Sequence, residues 1–284
     1  MSDLIIPVGA ILGDVVGSRF EGRDSVSKDF KFIHRACYLT DDTVMTIAVL
    51  KAVREWKKDP TQNLRELAVY YMHRLGRRYL WAGYGEKFSE WLFSDKPEPY
   101  GSYGNGAAMR VSPCGWYADD FSEALSMAEA VTDVTHNHPD AVQGAKAVAG
   151  WIYLARQGMG KQEIYDRLVS EGLYVPAKTV DRGVFDITCK GTVNTAIHCL
   201  MKNDSFEDIL RDAVCYGGDT DTNACIACSM AEPLYPIPEN LKEFTLNNLR
   251  YRRSDGIEEV MLYNILYDIE NDYEKEILDG YRLM

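Results

Sequence analysis

Gly217-Gly218-Asp219-Thr220-Asp221-Thr222-Asn223 leads straight into the apolar run Ala224-Cys225-Ile226-Ala227-Cys228. Two carboxylates stand two residues apart, with hydroxyls between and after them and two glycines ahead. A helix opening near Asp221 lets both acids point at one ion from an irregular turn. Far upstream, Thr40-Asp41-Asp42-Thr43 repeats the arrangement, again ahead of an apolar run. Hard divalent cations favour carboxylate and hydroxyl oxygens, and two such clusters can supply opposite sides of one site. The competing reading is helix capping, because Asp and Thr commonly precede helices. One cap needs one side chain, so capping accounts for the upstream cluster more easily than for Asp-Thr-Asp-Thr.

Around these clusters the pattern is helical. Ile5 to Gly17 is apolar with glycines at 9, 13 and 17, a spacing that puts small residues on one helical face and lets a second helix approach closely. A phosphate-binding loop is the rival reading. No lysine follows these glycines, and their spacing misses the dinucleotide fingerprint. Asp14 lies inside this apolar run, so it needs a partner or a nearby ion. A helix runs from Asp42, and the next is expected to start at Asp59-Pro60-Thr61-Gln62, with Asp59 as cap and Gln62 completing a capping box. Asp120 and Ser205 read as further caps, and Pro139 opens another helix. Helices are expected over 164–173, 192–200, 241–249 and 256–269, with a break at 176–190. Cys225 and Cys228 have redox-motif spacing but sit in an alanine-rich helix, where they read as small packing residues. No strand run stands out. The expectation is a single all-α domain over residues 1–284.

Composition narrows the function. The 284 residues are 46% hydrophobic, enough for a large core. Lys and Arg number 31 against 43 Asp and Glu, a net charge of -12. Nucleic acid is not an expected partner, since Arg250, Arg252 and Arg253 form the one basic cluster in sight. An anionic ligand would instead need metal, helix N-termini or backbone N–H groups. Seven cysteines without scaffold spacing suggest a reducing, cytoplasmic setting. The N-terminus does not read as a signal peptide, and no apolar run reaches membrane-spanning length, so no membrane partner is expected.

Three further stretches carry polar candidates. Gly101-Ser102-Tyr103-Gly104-Asn105-Gly106 can turn its N–H groups toward an anion as a nest, or be an ordinary long loop. Arg110, just beyond, suits a carboxylate, a phosphate or a structural ion pair. In Thr135-His136-Asn137-His138-Pro139 the imidazoles suit ligand contact better than zinc, since no further Cys or His accompanies them at zinc-site spacing. Glu21, between Arg19 and Arg23, reads on its own as part of a surface ion pair.

Taken in order, Gly13-Asp14-x-x-Gly17, Leu39-Thr40-Asp41-Asp42-Thr43, Gly104-Asn105-Gly106-Ala107-Ala108-Met109-Arg110, Thr135-His136-x-His138-Pro139 and Gly217 to Thr222 resemble the ADP-ribosylglycohydrolase family across roughly residues 5 to 232. The resemblance implies a compact helical bundle with two divalent cations, Mg²⁺ or Mn²⁺, in a cleft. It implies Thr40, Asp41, Asp42, Asp219, Asp221 and Thr222 as ligands, with Asp41 and Asp42 also near the chemistry. Glu21 falls where members that cleave serine-linked ADP-ribose keep an acid/base glutamate. Gly101, Ser102, Tyr103, Gly104 and Asn105 match a diphosphate- and ribose-binding loop, and His136 matches a substrate-contacting histidine. The implied partner is an ADP-ribosylated protein or an ADP-ribose-containing small molecule, cleaved by a monomer at the distal ribose. The chain departs from the family pattern at Cys225, Cys228, Glu232 and Pro233, near the rim of the cleft. Other readings of the same acids are a two-metal hydrolase for another phosphorylated substrate, a non-catalytic ADP-ribose-binding module, and a structural helical protein.

Overall fold

The computed structural model describes residues 4–249 and 262–268. Its helices are α1 (Val8–Gly17), α2 (Asp41–Lys58), α3 (Leu64–Gly76), α4 (Glu86–Leu92), α5 (Gly106–Met109), α6 (Ser112–Tyr117), α7 (Phe121–Thr132), α8 (Pro139–Arg156), α9 (Lys161–Ser170), α10 (Cys189–Lys202), α11 (Phe206–Cys215), α12 (Thr220–Ala231), α13 (Glu239–Asn248) and α14 (Leu262–Tyr267). The described residues contain no strand, only two isolated bridges, Arg23 with Gly218 and Gly104 with Thr188. No described helix is long and apolar enough to cross a membrane. Of the helix expected over 256–269, α14 is described. The remainder, with Arg250, Arg252 and Arg253, lies outside the described residues.

Most helix starts follow the expected chemistry. Asp120 accepts from the Glu123 N–H at 2.8 Å, Ser205 from the Asp208 N–H at 3.1 Å, and Pro139 opens α8. The start expected at Asp59 is a correction. Asp59 instead ends α2, and its Oδ1 accepts from both the N–H and the hydroxyl of Thr61, which holds Pro60 and Thr61 in a turn. Asn63 takes over the cap, accepting from the Arg65 N–H at 3.0 Å and donating to Glu66. The glycine-rich region from Trp81 to Ser112 also holds a short helix, α4, that its composition conceals.

The core is built around α12, every residue of which is buried. It packs against α1, α10 and α11. The α1 contact is the closest. A Cβ on Gly9 would lie 2.4 Å from the Cys228 carbonyl oxygen, on Gly13 2.2 Å from that of Ala224, and on Gly17 2.4 Å from that of Thr220. Three glycines four residues apart thus meet three carbonyls four residues apart, running in opposite directions. Glu232, just beyond α12, accepts the Gly9 N–H at 2.9 Å and so caps the α1 N-terminus, while burial raises its pKa to about 8.

All seven cysteines are free and buried. Burial pushes the thiols of Cys225 and Cys228 well above the usual range, with nearby acidic groups adding to the effect. Both should resist thiol reagents in the folded protein and label only on unfolding; rapid labelling under native conditions would contradict this packing role. At the glycine seam, Gly13→Ala should cost about 1–3 kcal/mol by urea unfolding, because backbone rather than a mobile side chain opposes the new methyl. Gly85→Ala, with nothing within 4 Å of its Cβ position, should stay within about 0.5 kcal/mol of the parent.

Candidate metal centre and cleft

Three elements bring the two acidic clusters together. α1 carries Asp14, which is fully buried and accepts the Thr40 N–H at 3.0 Å, the Thr40 hydroxyl at 2.8 Å, the Thr43 N–H at 3.1 Å and the Thr43 hydroxyl. Thr40 itself accepts the Asp42 N–H at 3.3 Å. Thr40 and Asp14 therefore cap α2, which frees Asp41 and Asp42 from that task. At the start of α12, Asp219 makes no side-chain cap, and Thr220 donates to the Gly17 carbonyl at 2.8 Å. Capping thus accounts for Thr40 in the upstream cluster but not for Asp219 ahead of α12, and the remaining acids form a shared polar floor.

The Gly-Gly turn ahead of α12 sets the rim. Gly217 and Gly218 have φ of +78° and +70°, and a Cβ on Gly218 would sit 2.1 Å from the Val184 carbonyl oxygen. Gly218 donates to the Arg23 carbonyl and Gly22 donates to the Gly218 carbonyl, each at 2.8 Å. This ladder fixes the Glu21 segment beside Asp219. Neither flanking arginine pairs with Glu21 among the described residues. The Arg19 guanidinium lies 4.4 Å above the Phe20 ring and donates to the Lys31 carbonyl, while Arg23 lies 5.6 Å from the Phe20 centroid. The surface ion pair expected from Glu21's neighbours in sequence is absent there.

Carboxylate oxygens of Asp14, Asp42 and Asp221 lie within 4.8 Å of one another, and so do those of Glu21, Asp219 and Asp221. Asp221 belongs to both groups. The Thr222 hydroxyl donates to Asp42 Oδ2 at 3.2 Å, and Asn105 Nδ2 donates to Asp219 Oδ2 at 2.6 Å. Asp42 Oδ1 is buried with no hydrogen-bond partner. Burial and mutual repulsion, not a lysine or arginine, set the charge state of these groups. Burial raises Asp14 to about 6; burial, then Asp14 and Asp219, raise Asp41 to about 8. Asp42 and Asp221 are driven well above the ordinary carboxylate range for the same reasons. Glu21 is raised by burial and then by Asp219. Uncompensated carboxylates so close together cannot all ionise, and a divalent cation removes that conflict. The all-oxygen donor set and the orphaned Asp42 oxygen fit a hard cation.

A cleft of about 460 Å³ opens over this floor. Asp41, Asp42, Asp219, Asp221 and Thr222 line its base, with Glu21 at the edge; Ser102, Gly104, Asn105 and His136 form one wall. Thr40 is buried beneath, holding Asp14 and Asp42. Gly101 and Tyr103 do not line the cleft. The Gly101 N–H is taken by Asn137 Oδ1 at 2.8 Å, and the exposed Tyr103 ring lies 5.7 Å from His138. Gly104 donates to Ser102 Oγ at 3.2 Å, so the expected nest already spends part of its N–H set internally. Arg110 lines the cleft but pairs with no carboxylate among the described residues. Its Nη2 donates to the carbonyls of Val131 and Thr132 and to the Thr135 hydroxyl. His138 caps α8, accepting the Asp140 N–H at 3.2 Å. Sequence reasoning missed the opposite wall, Gly83 to Phe88, and the exposed apolar Phe185 and Ile187 at the mouth. Their apolar character in a loop was the one available signal.

The chain matches the family model for ADP-ribosylglycohydrolase over residues 7–261. ADP-ribosylhydrolase ARH3 of Xenopus tropicalis is 28% identical over 57% of this chain and 53% of its own length, so that alignment spans about half of the relative. ADP-ribosyl-[dinitrogen reductase] glycohydrolase of Rhodospirillum rubrum is 25% identical over 82% of this chain and 85% of its own. A solved structure titled "ADP-ribosylglycohydrolase-related protein complex" superposes with a TM-score of 0.63 at 19% identity, covering 86% of this chain and 96% of that one, which shows the shared fold. The chain therefore belongs to the ADP-ribosylglycohydrolase family, a family of hydrolases.

Calorimetric titration with Mg²⁺ and with Mn²⁺ should show binding that Asp219→Ala and Asp42→Ala each abolish or weaken by at least about tenfold, and saturating metal should raise the wild-type melting temperature. Unchanged affinity in Asp219→Ala would remove the α12 turn from any metal site.

Proposed function

We propose that this chain is a divalent-metal-dependent hydrolase of the cytoplasm, acting as a monomer. It cleaves the bond between the distal ribose of ADP-ribose and an acceptor, either a protein side chain or a small molecule. The observation that carries the reading is the meeting of the two acid clusters at the base of one cleft, with Glu21 at its edge beside Asp219. Family membership supplies the chemistry to which this geometry is applied. A cleft of this volume lies in the range of small-ligand sites.

In this reading Asp41, Asp42, Asp219 and Asp221, with the hydroxyls of Thr40 and Thr222, hold two cations, Mg²⁺ or Mn²⁺. Asp14 fits as a further donor, since its oxygens lie beside those of Asp42 and Asp221. Such ions supply Lewis acidity at oxygen when bound. The protein's own groups do the rest. Glu21 protonates the departing acceptor atom and afterwards takes a proton from the attacking water, a task that its raised pKa suits. Asp41 and Asp42 place negative charge near the oxocarbenium-like ribose. Ser102, which lines the cleft and whose N–H has no intramolecular partner among the described residues, offers that donor to the diphosphate, with Gly104 and Asn105 beside it on the wall. His136 contacts the same ligand from the cleft wall. A serine alkoxide needs the proton more than a cationic guanidine does, so Glu21 weighs most for serine linkages.

Glu21→Gln should keep metal and ADP-ribose affinity while single-turnover cleavage of an ADP-ribosyl-serine peptide falls roughly 10²–10⁴-fold, the usual worth of acid–base catalysis. Free ADP-ribose, not inorganic phosphate, should be the wild-type product. Near-wild-type turnover in the variant would take Glu21 out of the chemistry; phosphate release would point to a different hydrolase.

A further inference from the structure

The His136 imidazole is buried at the cleft wall, with its Nδ1 2.7 Å from the Thr135 hydroxyl oxygen. That hydroxyl has two possible directions for its proton. One is the Thr132 carbonyl, 3.4 Å away, outside the ordinary O–H···O range. The Thr132 carbonyl also already accepts the N–H groups of Thr135 at 3.2 Å and His136 at 2.9 Å, and takes a longer bond from Arg110 at 3.4 Å. The other direction is His136 Nδ1. From the far side, the buried Arg110 donates its Nη2–H to the same Thr135 oxygen at 2.7 Å. A fixed cation on that side turns the hydroxyl proton away from itself. Both constraints send the proton to Nδ1.

We infer that Arg110 and Thr135 are positioning residues that set the tautomer of His136: Nδ1 accepts from Thr135, the ring proton resides on Nε2, and Nε2–H is presented to the cleft as a permanent neutral donor. The placement of Nε2 agrees. It lies against the Gly104 and Gly106 backbone, where a Cβ would come within 3.5 and 3.2 Å of it, and both glycines line the cleft with His136. The two glycines therefore leave open the space into which the N–H points. Burial and then the nearby Arg110 keep the imidazole uncharged, so both nitrogens cannot be protonated at once. The Tyr100 ring lies 5.9 Å from the imidazole, centroid to centroid, at a tilt of 56°. A donor at this place suits an oxygen acceptor on the ligand, a phosphate or a ribose hydroxyl. That last step rests on the proposed ADP-ribose reading; the tautomer does not.

The test is ¹⁵N NMR of the ligand-free protein, with the His136 signals picked out among five histidines by comparison with His136→Gln. The expected pattern is a protonated Nε2 and an unprotonated Nδ1, in a wild-type sample that needs no substitution to fold. Thr135→Val removes the hydroxyl at nearly constant volume. It should mix the tautomers and weaken ADP-ribose binding, measured by calorimetry, by roughly tenfold, the worth of about one hydrogen bond. Thr135→Ser should restore both readouts to within about twofold. A protonated Nδ1 in the wild type, or Thr135→Val with an unmixed tautomer, overturns the inference. Wild-type protein with protonated Nε2 that binds no ADP-ribose leaves the relay standing and overturns the proposed function instead.

Discussion

The backbone contact between α1 and α12 is the constraint on which the site depends. Gly9, Gly13 and Gly17 let α1 lie directly on the carbonyls of Cys228, Ala224 and Thr220. No other residue fits, since even one methyl would fall within 2.2–2.4 Å of those oxygens. This closeness places Asp14 beside Asp221. Asp14 in turn gathers the N–H and hydroxyl groups of Thr40 and Thr43, so the start of α2 is drawn to the same point. Two helix N-termini separated by about 180 residues in sequence thereby share one polar floor, and their aligned dipoles both favour negative charge there.

That floor is a stability liability which the chain accepts. Buried carboxylates repel one another and shed their charge unless a cation is present. The neighbouring hydrogen bonds soften the problem only in part: Thr222 serves one oxygen of Asp42, Thr40 gives its proton to Asp14, and Asn105 serves Asp219. An assembly of this kind is costly as pure architecture and useful as a metal site, which is why strongly shifted carboxylates in a cleft point to function. The α12 cysteines answer the same need from the other side. They are small, neutral and buried, and they let the helix sit in the centre of the core.

The fold was legible to the extent that it was written in local signals. The four-residue glycine spacing foretold a close helix contact, and Asp120, Ser205 and Pro139 open helices as capping chemistry dictates. The failure at Asp59 is instructive. Asp, Pro, Thr and Gln have the right order for a helix start, but Asp59 satisfies itself on Thr61 and Asn63 competes successfully four residues later. Local side-chain hydrogen bonds can end a helix as readily as begin one. Arg110 shows a different limit. Its charge suggested an anion, whereas its burial against the end of α7 commits its donors to backbone carbonyls and Thr135.

By itself, the amino-acid sequence determined the helical class, the acid–hydroxyl clusters and the family, because these reside in spacing and residue type within short windows. Tertiary structure decided which oxygens meet. It made Asp221 common to both groups of acids, separated Glu21 from its flanking arginines, and turned Asn105 toward Asp219. It also moved Tyr103 to the surface and brought Phe185 and Ile187 to the cleft mouth. Those outcomes depend on packing between segments far apart along the chain, and no local pattern encodes a distance across a helical bundle.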